Sequence, residues 1–113
     1  MIEVSSILKD AEFNDQKPVF KVLLNTSSTK ELRIMMRKAH VMKEHPAPHP
    51  IVVEVFSGSI DFRVEGEVYL LEKGDLITLS SRISHDLLAH EDSVIRLSLS
   101  KNDNVDRLKE VIG

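Results

Sequence analysis

Ile51-Val52-Val53-Glu54-Val55-Phe56, Ser57-Gly58-Ser59, Ile60-Asp61-Phe62-Arg63-Val64, Glu65-Gly66, and then Val68–Leu71, Glu72-Lys73-Gly74 and Leu76–Leu79: this stretch decides the fold. Its apolar runs are short and rich in β-branched residues, and each is closed by residues that accept tight-turn geometry. Consecutive hairpins follow. Val19–Leu24, Glu31–Met42, His85–Ala89 and Val94–Leu99 repeat the pattern outward on both sides. Many short strands at regular spacing predict an all-β sandwich or barrel.

The two ends differ from the middle. Val105, Leu108 and Ile112 recur at helical spacing, and Asn102, Asp103 or Asn104 can serve as N-cap, which predicts a short C-terminal helix over about 103–112. Met1–Lys17 has no clear period; Ile2, Val4, Ile7 and Leu8 suit an edge strand or a helical turn equally.

With 113 residues the chain has room for one domain with a real core. It contains no cysteine, which removes disulfide frameworks, thiolate metal sites and cysteine nucleophiles together. A net charge of −3 with both signs interspersed gives no basic stripe, so nucleic-acid binding is not expected. No apolar run approaches membrane-span length, and a cytoplasmic protein without membrane partners is the expectation. Four Phe and one Tyr leave a mostly aliphatic core and no aromatic platform for stacking sugars. No Ser–His–Asp constellation, phosphate loop or dinucleotide fingerprint is present.

Glu44-His45-Pro46-Ala47-Pro48-His49-Pro50, followed by Ile51–Phe56 and Ser57-Gly58, resembles the first motif of the cupins, and Gly74-Asp75-Leu76 through Ser84-His85 resembles the second. The resemblance covers about 34–99 and implies a double-stranded β-helix, or jelly-roll, barrel as a single cupin domain over 1–113. It further implies a site in which three imidazoles and one carboxylate hold Fe, Mn, Ni, Zn or Cu, metals that suit imidazole ligation. Aligned on Gly58, His45 takes the first histidine position, Ala47 the second and Ile51 the glutamate. Aligned on Gly74, His85 takes the last histidine position.

His49 can complete the set. In an extended Pro-punctuated segment, alternate side chains share a face, so His45, Ala47 and His49 are expected to point the same way and His45, His49 and His85 form the candidate metal triad. Parity sets Glu54 on the opposite face from Ile51, Val53 and Val55 and removes it as a replacement carboxylate. Glu44 is expected at the surface or behind the ligands, His40 and His90 as ordinary hydrogen-bonded residues, and Met35, Met36 and Met42 in the core. Arg33, Arg37 or Arg63 can supply an inward guanidinium for an anionic ligand.

These residues lead to a barrel that binds a divalent metal through its mouth histidines together with a small molecule, the reaction being unspecified. The aliphatic Ala47 and Ile51 support the rival reading, a metal-free barrel that binds or senses a small molecule without catalysis. A homodimer is expected, because small cupins pair by resemblance and because an exposed N-terminal strand edge is a liability.

Overall fold

The computed structural model of the chain describes residues 2–112. In chain order its elements are β1 (Val19–Asn25), β2 (Thr29–Met36), β3 (Val41–His45), β4 (Ile51–Ser57), β5 (Ser59–Val64), β6 (Glu67–Glu72), β7 (Leu76–Leu79), β8 (His85–Ala89), β9 (Ser93–Ser100) and the helix α1 (Arg107–Val111). All strand pairs are antiparallel and build a five-stranded sheet, β1-β2-β9-β4-β7, facing a four-stranded sheet, β3-β8-β5-β6. From β7 onward successive strands alternate between the sheets, which wraps the chain into the jelly-roll barrel the turn pattern predicts.

Alternation explains the core. Ile51, Val53 and Val55 of β4 are buried, as are Ile60, Phe62 and Val64 of β5, and both sets join one aliphatic cluster between the sheets. Gly58 makes the switch from β4 to β5 feasible. Its φ is +95°, and a Cβ there would lie 2.6 Å from the Cα of Ser93 and 2.7 Å from the carbonyl of Asp92.

Three expectations change. Glu31–Met42 is two strands in different sheets, β2 and β3, separated at 37–40. That turn contains neither Gly nor Pro: Ala39 takes φ +74°, and the Arg37 N–H donates to Nδ1 of His40 at 3.0 Å. A turn closed by a histidine ring leaves no compositional trace of the usual kind. The helix is shorter than predicted, Arg107–Val111, and its N-cap is Asp106 without a side-chain capping bond. Asp103 is instead buried at 1% exposure. Finally, 2–17 forms neither strand nor α-helix; Met1 lies outside the described residues. The buried Arg33 of β2 holds this segment by donating to the carbonyls of Ile7, Lys9 and Asp10 at 3.2, 3.1 and 3.4 Å. Among the described residues no helix is long and apolar enough to cross a membrane.

Candidate functional site

His45 ends β3 and His85 begins β8, and the register sets them directly opposite each other. Their ring centroids lie 4.4 Å apart, and Phe62 from β5 stacks on His85 at 5.2 Å with planes 11° apart. Each ring is held from behind in the same way. Nδ1 of His45 is 2.7 Å from the carbonyl of Lys43, and Nδ1 of His85 is 2.9 Å from the carbonyl of Ile83. A carbonyl only accepts, so both rings carry their proton on Nδ1 and keep a lone pair on Nε2. Burial disfavours the charged imidazolium and pushes His45 down to about 4, against the opposing pull of the Lys43 carbonyl and with added repulsion from His85 and Arg107. His85 is lowered too, chiefly by burial and then by Arg107. Both rings are therefore neutral at pH 7.

The third polar group comes from α1. Arg107 grips the buried Asp103 bidentately, Nε to Oδ1 and Nη2 to Oδ2, both at 2.8 Å. Its remaining nitrogen, Nη1, is buried without a hydrogen-bond partner. Arg107, His45 and His85 line one small cavity, otherwise walled by apolar groups that include Met42, Ile51 and Leu108. The room for the centre of a water-sized sphere is about 20 Å³, enough for one water and no more.

No protein-family model matches this sequence, and no curated protein matches it. Solved structures do. An RmlC-like cupin from Shewanella frigidimarina is 19% identical, with a TM-score of 0.75 over 88% of this chain and 92% of the other. An RmlC-like cupin from Desulfovibrio desulfuricans is 15% identical, with a TM-score of 0.78 over 89% and 98%. KdgF from Halomonas sp. is 21% identical, with a TM-score of 0.72 over 86% and 88%. The chain has the cupin fold.

On this cupin barrel the candidate ligands separate. The structure brings His45 and His85 together and leaves His49 out of the cavity lining. Strand alternation stops where β3 stops: the chain bends at Pro48 and His49, and the carbonyl of Ala47 accepts from the Arg82 N–H at 2.7 Å. The extended segment that would have aligned His49 with His45 is absent. Among the described residues no group of three or more His, Asp or Glu side chains is placed to hold a metal ion. Ala47 and Ile51, at the positions of the second histidine and the glutamate, are both 3% exposed.

Other side chains fall where parity and burial put them. Glu54 faces away from the core and meets Arg96 at 2.8 Å. Glu44 is exposed, His90 pairs with Asp61 at 2.8 Å, and Met35, Met36 and Met42 are core residues. None of the three arginines proposed for an anionic ligand lines the cavity. Arg33 is spent on the N-terminal carbonyls, Arg37 bridges Asp15 and Asp92, and Arg63 pairs with Asp86. The arginine that does enter the cavity, Arg107, is the residue sequence reasoning missed. Its signal was the Asp103–Arg107 spacing of four at the start of a helical pattern, which favours an intrahelical ion pair.

Proposed function

We propose that this cupin barrel is a metal-free binding module for a small hydroxylated molecule. The observation that carries the reading is the unpartnered Nη1 of Arg107 in the cavity shared with two neutral histidines. A buried N–H left unpaired costs about 1–3 kcal/mol, so an occupant that accepts from it is favoured. The Nε2 atoms of His45 and His85 offer lone pairs and therefore favour an occupant that donates. A hydroxyl does both, as does a water; a bare carboxylate would set its oxygens against the Nε2 lone pairs.

The donor set does not fit a resident transition metal. Such sites call for three or four protein ligands, whereas this one offers two imidazoles, aliphatic Ala47 and Ile51 in place of a further imidazole and a carboxylate, and a guanidinium on the same cavity. The cation would repel a divalent ion.

Anything larger than a single hydroxyl needs more space than the closed barrel has, so entry requires α1 to move aside. The helix is five residues long, and its buried anchors are Leu108 and Val111. Burying two such side chains stabilises it by about 3–6 kcal/mol before the entropy of ordering the tail is subtracted. The open form is therefore a minor state that a ligand selects.

The test is NMR titration of imidazole-labelled protein with glycolate, lactate and glycerol, acetate serving as the control without a hydroxyl. The Nε2 resonances of His45 and His85 are expected to shift with the hydroxylated compounds and not with acetate, and Arg107→Met should abolish the response. Equal response to acetate, or none to any compound, would overturn the reading. Elemental analysis of protein purified without chelator is expected to find no stoichiometric metal. About one equivalent per chain, lost in both His45→Ala and His85→Ala, would replace this reading with the metal-binding one. We also propose that the barrel pairs with a second copy of itself; an unguarded strand edge supports this.

A further inference from the structure

β6 is the outer strand of the four-stranded sheet, and its edge is unprotected. Val68, Tyr69 and Leu70 run consecutively along it at 57%, 44% and 54% exposure, an arrangement soluble proteins normally interrupt with Lys, Pro or a bulge. Here the strand contains neither residue, and its pairing with β5 is unbroken from Glu67 to Glu72. The other edges are interrupted, covered or brief. β1 carries Lys21 and a register break between Val22 and Leu24, α1 packs against β3, and β7 is four residues long.

The direction of the free backbone groups follows from the hairpin. Val64 and Glu67 flank a two-residue turn, Glu65-Gly66, in which both φ angles are positive, at 50° and 79°. A pair flanking such a turn exchanges both its hydrogen bonds, so Glu67, Tyr69 and Leu71 bond to β5. Val68 and Leu70 then aim N–H and C=O at the open edge, as does the carbonyl of Glu72, whose N–H is taken by Asp75 at 2.8 Å.

We infer that two copies of this chain join by antiparallel pairing of β6 across a two-fold axis at Leu70. It rests on the pairing proposed above and names its surface. In this register outward groups meet outward groups: Leu70 faces its own copy, and Val68 faces Glu72 of the partner subunit. Val68 and Leu70 lie on the outer face, opposite the buried Leu71, so the four side chains from two copies form one apolar strip. Glu67 falls opposite Lys73 of the partner subunit, twice by symmetry. Neither residue has an ion-pair partner among the described residues. Moving the axis to Tyr69 would set Glu67 against Leu71 and leave Lys73 opposite only Glu65, which lies in the turn outside the strand; an axis between two residues would set outward groups against inward ones.

The experiment is sedimentation velocity on the full chain and four variants. Wild type is expected to sediment as a dimer and Leu70→Lys, which sets two ammonium groups on the axis, as a monomer. Lys73→Glu should weaken the dimer about tenfold, and Glu67→Lys combined with Lys73→Glu should restore it. Because the chain has no cysteine, Leu70→Cys should give a single oxidised dimer band under non-reducing conditions. Unchanged circular dichroism in every variant keeps misfolding separate from dissociation. A monomeric wild type overturns the pairing altogether. A dimer that survives Leu70→Lys, or a charge swap that fails to rescue, overturns this face alone.

Discussion

Replacing Asp103 by Ala is expected to destabilise the protein by about 3–5 kcal/mol, the cost typical of stripping one partner from a buried ion pair. Asp103 is 1% exposed and is the counter-charge for Arg107, whose Nη1 is already without a partner. Loss of the carboxylate would strand a guanidinium inside the barrel mouth. The double variant Asp103→Leu with Arg107→Met removes both charges while keeping similar volume, and it should recover most of the loss. Urea denaturation of Asp103→Leu, Arg107→Met and the double variant measures the coupling. A cost of less than about 1 kcal/mol for Asp103→Ala would mean that the pair is effectively solvated and that α1 does not seal the cavity.

The second large effect is a dependence of stability on pH in the acid range. His45 has a folded value of about 4 against an ordinary 6.5, and His85 is also lowered. A histidine whose value is depressed by folding binds more protons in the unfolded chain between those limits. Its contribution is complete above about 6.5 and is lost as pH falls towards 4, so stability should rise with pH across that window. Allowing for partial solvent screening, the loss from pH 7.5 to pH 5 is on the order of 2 kcal/mol. His45→Gln should flatten the curve over this window while leaving the carboxylate region below pH 4 unchanged. Urea denaturation at half-unit pH steps reads it directly. A flat profile between pH 5 and 7 would show that the rings are solvated, and it would remove the burial on which the hydroxyl reading depends.

Much of the barrel is legible in the sequence. Seven of the short runs, from Val19–Leu24 through Val94–Leu99, map onto single strands because a half-buried strand must alternate and a tight turn must use residues that tolerate it. Glu54 could be set outside the core by counting from Ile51, since parity within an unbroken strand is a local property. The break at Arg37–His40 was not legible, because a histidine ring and an Ala at positive φ do there what Gly or Asn ordinarily does.

The candidate site divides along the same line. The resemblance to the two cupin motifs implies that His45 and His85 belong together, and the cross-strand register places them opposite each other. Whether His49 joined them depended on where β3 lost its partner, which is decided by β8 and by the bend at Pro48, not by the alternation of the segment. The arginine of the site came from more than twenty residues beyond His85 in the chain, on a helix that occupies the barrel mouth only because Leu108 and Val111 find a place in the core. Local pattern therefore determined the strands and their faces, since those depend on backbone geometry repeated over a few residues. Tertiary packing decided which charged group closes the barrel, because that choice depends on which distant side chain can bring its counter-ion into the interior with it.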